Sequence, residues 1–512
     1  MKRFLWIILG FVLIASIVTC SSQGSARPRG PIVGEYTTDL LIIGGGWAGL
    51  TAAASAGEAG INTVVLEKNE VIGGSTAFLV GTAYNGFWPG SPNHDLDQSY
   101  NVYQNYIRYN SRGKNVRILF NEVPNNMRWL SDHGVSMPPN SGFFLETGAQ
   151  ALNIFTRILN GMPSVRILTG SPATDLIVEN GVVKGAIANS SEGRIRVNAK
   201  YTIIATGPIV GDPELLKKHV PWLGEGYEVK GAPGRTGDGI RLAQQVNARI
   251  DALLMVDTES GWITGTSEGY YYPSMMQPGQ ERQLTLHHLI KLGVLRVNFQ
   301  GKRFMDESIF PFHKEMWSMA LNNNMYWAIF DQNLINSLRT RGIDDMGFSR
   351  LMFPALPNNN PRLENIDAAI QMAIDGGNAV RADTIEELAQ KMGVDAGNLR
   401  ATIARYNDLA QNGYDDDLLK NPRLLHNYNP PFYALRAVHV ILSTNGGIQS
   451  DENFNVIDVN MNPIPGLYVA GVLVGSQSGE TYPMEVQAGA STGFGMSAGR
   501  IIVRNIAAEL RR

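Results

Sequence analysis

Three glycines and an acid are the residues best placed to do chemistry. Gly44, Gly46 and Gly49 stand in the run Gly44-Gly45-Gly46-Trp47-Ala48-Gly49, and Glu67 with Lys68 follows about twenty residues on. Glycine at the first position permits a tight turn, at the second lets backbone approach a pyrophosphate, and at the third lets a helix pack closely on a strand. The opening N–H groups of that helix, Trp47 and Ala48 included, attract phosphate. The carboxylate of Glu67 is suited to accept hydrogen bonds from a ribose diol. The chemistry implied is the holding of a dinucleotide. A second small-residue run, Gly73-Gly74-Ser75-Thr76, suits a loop passing under a flat ligand, with Ser75 and Thr76 able to reach its polar edge.

A bare G-x-G-x-x-G is a weak signal and needs its flanking elements. Here Thr38–Ile43 is an apolar run suited to a buried parallel strand, and Leu50–Glu58 is an alanine-rich helix. Asn62–Leu66 then makes a second strand that ends at Glu67. Strand, glycine turn, helix, strand and acid follow in the order the fingerprint requires. Further along, Tyr100–Trp129 reads as a helix and Ala149–Leu159 as another. Val165–Leu168, Asp175–Glu179, Gly181–Asn189, Arg194–Ala199 and Tyr201–Ala205 read as strands, with a hairpin at Asn180-Gly181. Thr384–Met392 and Ala396–Asn412 are amphipathic helices, capped by Asp383 or Thr384 and by Asp395. Tyr433–Ser443, Val456-Ile457 and Pro465–Val469 are strands, and Ser491–Glu509 is a closing helix.

At 512 residues the chain exceeds one ordinary hydrophobic core, so more than one domain is expected. Hydrophobic content of 44%, charged content of 17% and a net charge of -3 describe a globular protein with no electrostatic reason to bind nucleic acid. Lys2 and Arg3 precede an apolar run from Phe4 to Val18, and Thr19-Cys20-Ser21-Ser22 follows: the pattern of an export signal. Cys20, the sole cysteine, sits where the signal ends, and Ile17-Val18-Thr19-Cys20 resembles a bacterial lipobox in which Thr19 departs from the usual small residue. The expectation is a protein exported to the cell envelope or periplasm, lipid-anchored through Cys20, and touching the membrane only through that lipid. One cysteine excludes an intrachain disulfide and a C-x-x-C redox pair, so redox chemistry requires an organic cofactor. No metal cluster is expected; Asp415-Asp416-Asp417 reads as a solvated turn.

Three more segments give the fingerprint a family. Gly73-Gly74-Ser75-Thr76, Ala205-Thr206-Gly207 and Pro465-Gly466-Leu467-Tyr468-Val469-Ala470-Gly471 occur in the order and spacing of one group of flavoproteins. Thr236-Gly237-Asp238-Gly239, Val297–Glu307, Arg405-Tyr406-Asn407, Pro431–Ala434 and Gly446-Gly447-Ile448 continue the match. From Tyr36 to Asn505 the chain resembles the FAD-binding family of fumarate reductases, succinate dehydrogenase flavoproteins and 3-ketosteroid dehydrogenases. The resemblance implies an α/β fold: a Rossmann-like FAD-binding domain built from both ends of the chain, with an inserted α+β capping domain. Its expected division is signal 1–19, tether 20–35, FAD-binding domain 36–222, capping domain 223–380, and FAD-binding domain again 381–512. It implies FAD held by Gly44, Gly46, Trp47, Ala48, Gly49, Glu67, Lys68, Gly74, Ser75, Thr76, Ala173, Thr206, Gly207, Asp238, Gly471, Ala490 and Ser491.

The same resemblance implies hydride exchange at flavin N5 with a carbon–carbon bond next to a carbonyl or carboxylate, with electrons passed to or from an external flavoprotein, cytochrome or quinone. Fumarate reductases carry an arginine proton donor where Ser308–Phe312 stands here, a histidine where Ser443-Thr444-Asn445 stands, and a carboxylate-binding arginine in the loop that here reads Gly479–Pro483. Without guanidinium clamps a small dicarboxylate is poorly held, so fumarate is not expected as substrate. Thr481-Tyr482-Pro483 is similar instead to the segment whose tyrosine polarises the ketone in 3-ketosteroid dehydrogenases, although their second catalytic tyrosine is replaced by Phe312. Tyr482 is thus the candidate polarising or proton-donating hydroxyl. His287 is a candidate for proton relay, since imidazole titrates near neutral pH, and an ordinary buried histidine is the alternative. A tyrosine merely packed beside the flavin, and a non-catalytic FAD-binding surface lipoprotein or electron relay, are the alternatives at the level of site and function. Arg303 is expected to pair with Glu307 as a structural group.

Overall fold

The computed structural model describes residues 30–75, 95–135, 148–251, 254–262, 286, 289–290, 292–308, 316–341, 343, 346, 362–479, 482–483 and 489–512. The export signal, Thr76, His287 and Phe312 lie outside the described residues.

Two sheets organise the chain. The first takes β1 (Ile32–Ile43), β2 (Thr63–Leu66), β3 (Val165–Leu168), the β4 (Ala173–Glu179) and β5 (Val182–Asn189) hairpin, and β6 (Arg194–Ile204) from the N-terminal part. Late strands β13 (Asn455–Ile457) and β14 (Pro463–Val469) complete it, in the order β13-β14-β6-β1-β2-β3. The central pairs β14/β6, β6/β1, β1/β2 and β2/β3 are all parallel. That explains why Leu40, Leu41, Ile42 and Ile43 are apolar without alternation: a central parallel strand is covered on both faces, and these four are buried. The expected hairpin turns at Asn180 and Gly181, both at positive φ (51° and 79°), the geometry of a two-residue type I′ turn.

Helix α1 (Trp47–Glu58) crosses from β1 to β2 on a face of alanines, and the closing helix Ala490–Leu510 lies against it. A Cβ on Gly499 would come within 2.9 Å of the Ala48 carbonyl oxygen and 3.3 Å of Ala52 Cβ, so small residues on both helices set their close approach. The stretch expected as one helix over Tyr100–Trp129 is two, α2 (Leu96–Tyr106) and α3 (Gly113–Asp132). Arg108 and Tyr109 break it with φ of 56° and 57°, and the Arg112 N–H turns away to the Ser476 carbonyl (2.8 Å).

The second sheet is built on β12 (Phe432–Asn445) and also holds β7 (Glu228–Val229), β8 (Met255–Trp262), β9 (Arg296–Val297), β10 (Met325–Asp331) and β11 (Ala379–Ala382). The first half of β12 pairs β11 and β10; its second half pairs β7 and β8. The capped helices Ile385–Met392 and Ala396–Asn412 bury Leu388, Leu399, Ile403 and Tyr406 against Trp327, Ile329 and Phe432 of this sheet. Strands β11 and β12 pair in the second sheet, and these two helices pack on it.

Beneath these helices lies a buried charge cluster. Arg303 grips Glu307 through Nε and Nη2 (2.9 Å each) and reaches Asp415 Oδ2 (2.7 Å). Lys420 Nζ meets Glu307 Oε2 (3.1 Å) and donates to the Tyr406 hydroxyl (2.6 Å). Asp415 is therefore not part of a solvated turn; only Asp416 and Asp417 are exposed, where they hold Arg405. Desolvation opposes ionisation of Glu307, but the Lys420 and Arg303 charges outweigh it and hold its carboxyl below the usual range.

Candidate functional site

The glycine turn shows why it tolerates nothing larger. Gly44 sits at φ 112° with its would-be Cβ 2.4 Å from the Ala205 carbonyl oxygen, and a Cβ on Gly49 would lie 1.9 Å from the Gly44 oxygen. At Gly46, by contrast, the nearest atom to a Cβ is Gly73 O at 3.8 Å. The Gly73 N–H donates to Gly45 O (2.7 Å), and Gly74 stacks beside Gly46. These backbones form a bare ledge at the N-terminus of α1, which has neither a side-chain cap nor an acid in its first turn. By helical geometry the first-turn N–H groups have no intrahelical acceptor. The ring of Trp47 turns inward and packs edge-on against Phe155 (5.2 Å between centroids), so the ledge gains backbone rather than indole from this residue.

Glu67 lies at the end of β2, and its carboxylate accepts from the N–H groups of Gly45 and Asn69 (2.8 Å each). The Ser171 N–H binds the Glu67 carbonyl (2.8 Å), which brings the segment leading to Ala173 beside the acid. Lys68 and Asp238 engage each other (2.6 Å), with Thr236 on the same ammonium (2.7 Å). Thr206 Oγ1 accepts from the Gly239 N–H (3.0 Å), and Gly207 at φ 80° has open space where its Cβ would be. Gly471, at φ 83°, sets its Cα 3.3 Å from the would-be Cβ of Gly495 in the closing helix. A Cβ on Gly471 itself would meet the Ala48 methyl at 3.1 Å. The end of the chain is thus brought onto the first turn of α1.

At the start of the closing helix a second uncapped N-terminus appears: Gly489 at φ 81° precedes it, without a side-chain cap or an acid in its first turn. Asn445, the last residue of β12, donates from Nδ2 to Ser491 Oγ (2.5 Å), and the Ser491 N–H reaches the Tyr482 hydroxyl at 3.5 Å. Tyr482 is buried, and Tyr103 stands behind the loop, its hydroxyl bonded to Gln477 O and Ser478 Oγ (3.0 Å each). Burial drives the Tyr482 pKa well above that of a free phenol, the nearby Asp257 charge adds to the rise, and contacts with Ser491 and Gly489 oppose it. Tyr482 therefore remains a neutral hydrogen-bond donor throughout the physiological range.

The set expected from sequence is largely brought together: Gly44–Gly49, Glu67, Gly74, Ser75 and Gly471 around α1, and Ala490 and Ser491 at the second helix start. Thr76 and His287 lie outside the described residues. His439, the histidine nearest the late glycine pair, is no site residue: it is buried with Nδ1 2.8 Å from Asn324 Oδ1, and burial lowers its pKa to about 3. Asn324 donates through Nδ2 to Leu223 and Glu225 carbonyls, so its Oδ1 accepts from a neutral His439. Sequence reasoning passed over Asp257, whose carboxyl is pushed up to about 7 by burial. The available signal was a single acid closing the apolar run Ala252–Val256. Among the described residues no cluster of metal-binding side chains occurs, and no helix is long and apolar enough to cross a membrane.

A ledge that a Cβ would fill, two uncapped helix starts and a carboxylate beside the glycine turn fit the diphosphate, ribose and flavin of FAD. Comparison with known proteins agrees. The family described as FAD binding domain matches residues 143–486, and that described as FAD dependent oxidoreductase matches residues 39–208. The chain is similar to the vinyl phenol reductase of Lactiplantibacillus plantarum, 26% identical over 490 residues, covering 90% of this chain and 94% of that protein. It is also similar to the urocanate reductase of Eggerthella lenta, 25% identical over 480 residues, covering 89% of this chain and 72% of the relative. In fold it matches a solved 3-ketosteroid delta1-dehydrogenase from Sterolibacterium denitrificans with a TM-score of 0.71 at 18% identity, covering 92% of this chain and all of the other. The chain belongs to the FAD binding domain family and is an FAD-dependent oxidoreductase.

Proposed function

We propose that the protein reduces a carbon–carbon double bond conjugated to an oxygen-bearing group on a neutral substrate, an enone or a hydroxystyrene of the vinyl phenol kind. Bound FAD supplies hydride chemistry at its N5 atom. On this reading Gly44, Gly46, Gly49 and Gly74 hold the diphosphate by backbone, with Trp47 and Ala48 contributing N–H groups. Glu67 and Lys68 border the adenosine ribose, and Ala173 borders the adenine. Ser75, Thr76, Thr206, Gly207, Asp238 and Gly471 line the remaining length. Ala490 and Ser491 turn a helix start towards the flavin edge that gains negative charge on reduction.

Tyr482 is the observation that carries the reading. A buried neutral phenol, held beside the helix start by Ser491, can donate to a substrate oxygen as charge develops there. Its raised pKa suits donation and disfavours the phenolate that removal of a substrate proton requires. Ser308–Phe312, Ser443-Thr444-Asn445 and Gly479–Pro483 stand where fumarate reductases carry an arginine proton donor, a histidine and a carboxylate-binding arginine, which favours a neutral acceptor. Relatives named as reductases of vinyl phenol and urocanate support the reaction class and its reductive direction. Electrons come from an external carrier such as a flavoprotein, cytochrome or quinone. The signal-like residues 1–19 and Cys20 support an exported, lipid-anchored enzyme.

Anaerobic mixing of photoreduced holoprotein with 4-vinylphenol, a 3-ketosteroid enone, cinnamate, acrylate, urocanate and fumarate tests this. Stoichiometric reoxidation by a neutral acceptor, with fumarate inert, is the expected result. Reoxidation by fumarate alone, or by none, overturns it.

A further inference from the structure

One carboxylate binds two turns of the proposed site at once. Asp251 lies just before β8, and its side chain accepts from the Gly447 N–H (3.2 Å), Gln449 Nε2 (2.9 Å), the Ser476 N–H (2.9 Å) and Ser476 Oγ (3.0 Å). Its own N–H donates to Gly447 O (2.7 Å). A Cβ on Gly475 would lie 2.7 Å from Asp251 Oδ2, and one on Gly446 3.2 Å, so glycine at both positions leaves the carboxylate its room. Arg112, the residue before α3, closes a circuit. Its N–H donates to Ser476 O (2.8 Å) and its Nη2 to Gln449 Oε1 (2.8 Å). Gln449 therefore meets the guanidinium with its oxygen and Asp251 with its NH₂, the orientation both neighbours require. Asp251, Gln449, Arg112 and Ser476, far apart in sequence, form a closed ring of hydrogen bonds.

The ring holds Ser476 in an unusual shape. Its φ is 55°, a left-handed conformation that a residue with a Cβ adopts at a cost and keeps only where its surroundings over-determine it. Here every polar group of Ser476 is engaged: N–H and hydroxyl by Asp251, carbonyl by Arg112. The turn stands where the chain leaves Gly471, assigned above to the flavin, for Tyr482. Before it, the Gly446 N–H binds Val472 O and the Gly475 N–H binds Ile448 O (2.7 Å each). After it, the Tyr103 hydroxyl meets Gln477 O and Ser478 Oγ, and a Cβ on Gly479 would lie 3.1 Å from Asn110 Cβ beyond the end of α2. Asn445, which donates to Ser491, immediately precedes Gly446.

We propose that Asp251 is a positioning residue for the reduction: its carboxylate ties the Gly446-Gly447 turn, which follows Asn445, to the Ser476 turn, which leads to Tyr482, and so sets the Tyr482 hydroxyl against Ser491 and the substrate oxygen. The inference rests on the reductase reading above. Asp251 acts through the backbone it holds and transfers neither proton nor electron. Only a carboxylate serves here, because all four contacts are donors. An asparagine with its nitrogen at the Oδ2 position would face the N–H groups of Gly447 and Ser476. With its nitrogen at the Oδ1 position it would face the Gln449 amide, which cannot reverse without turning NH₂ onto Arg112. Either way the Ser476 turn is released, and a displacement of about 1 Å at a reacting group costs about a hundredfold in rate.

The test is a double-mutant cycle on full-length holoprotein: wild type, Asp251→Asn, Tyr482→Phe and the double variant. Each is reduced anaerobically and reoxidised in a single turnover by the neutral acceptor at saturating concentration. Asp251→Asn is expected to slow reoxidation at least about tenfold in the wild-type background, and less than about twofold once the Tyr482 hydroxyl is gone. A general structural role would slow both backgrounds alike; that result, or an Asn variant as fast as wild type, overturns the proposal. Ser476→Ala removes one bond from the same carboxylate and should repeat the pattern at smaller amplitude. It carries the cycle, with the same overturning results, where Asp251→Asn does not accumulate as yellow protein. In either variant, amide hydrogen exchange of the oxidised holoprotein should rise over residues 446–449 and 475–479 and stay unchanged in the remote β4–β5 hairpin. Unchanged protection of those two turns also overturns the proposal. If no acceptor reoxidises the wild type, the reductase reading fails by itself, and hydrogen exchange still decides whether Asp251 holds the turns.

Discussion

At the scale of the residue, the proposed chemistry depends on one hydroxyl, that of Tyr482. Tyr482→Phe removes it with little change in volume or burial. We predict that the variant keeps FAD, seen as an unchanged flavin spectrum, and loses at least about tenfold in turnover. Unchanged turnover would take Tyr482 out of the reaction. The proposed role of Tyr482 could be read from sequence because a motif, Thr481-Tyr482-Pro483, carries the residue. The place of Asp257 could not, because no local pattern separates an acid at the end of an apolar strand from one at its solvated tip. Only the β8/β12 register sets Asp257 opposite Ser443, two residues before the Asn445 that donates to Ser491.

At the scale of the element, the glycine ledge is rigid where it must be. Gly49→Val would put a branched Cβ within 1.9 Å of the Gly44 carbonyl oxygen and force α1 off β1. We predict protein that purifies without yellow colour and takes up no FAD in an absorbance titration. Gly181→Ala, in the remote hairpin at φ 79° with open space around it, serves as the strained control and should stay yellow. Caps and strands governed by neighbouring residues were readable: Thr384 and Asp395 accept the N–H groups of Glu387 (3.2 Å) and Asn398 (2.7 Å) as their positions foretold. The break between α2 and α3 was not: Gly113 opens α3, but the chain turns at Arg108 and Tyr109, both at positive φ, and the Arg112 N–H is drawn to Ser476, far along the chain. Likewise β6 is one strand through Lys200 because β1 pairs it along nearly its whole length.

At the scale of the whole molecule, a buried ionic cluster ties the helices to the second sheet. Arg303→Ala leaves Glu307 and Asp415 in the interior with one cation fewer. We predict a loss of about 3–5 kcal/mol, read as a lowered midpoint in denaturant, with Arg303→Lys losing part of it for want of the two-pronged grip on Glu307. Against desolvation, Arg303 and backbone N–H groups hold Asp415 at about 2. Its folded pKa lies below the unfolded one, so its contribution is full above the ordinary carboxylate range and disappears as pH falls from about 4 towards 2. Wild type should therefore lose stability steeply in that window, and Arg303→Ala less so. The glycine pattern and order of motifs made the flavoprotein fold readable, since the family's fingerprint is local. Membership of β11, β12 and the two capped helices in the second sheet depends on antiparallel pairing across long separations, which no local pattern records.

On the proposed function, Tyr482 polarises a neutral activated alkene for the hydride chemistry that bound FAD would supply. Single-turnover stopped-flow reoxidation of anaerobically reduced wild type and Tyr482→Phe by 4-vinylphenol and by an enone tests it most directly. Fast reoxidation of wild type by at least one of these, slowed at least about tenfold by the substitution with fumarate inert, is the predicted result. Equal rates in the two proteins, or reoxidation by fumarate in preference to both neutral acceptors, would contradict it.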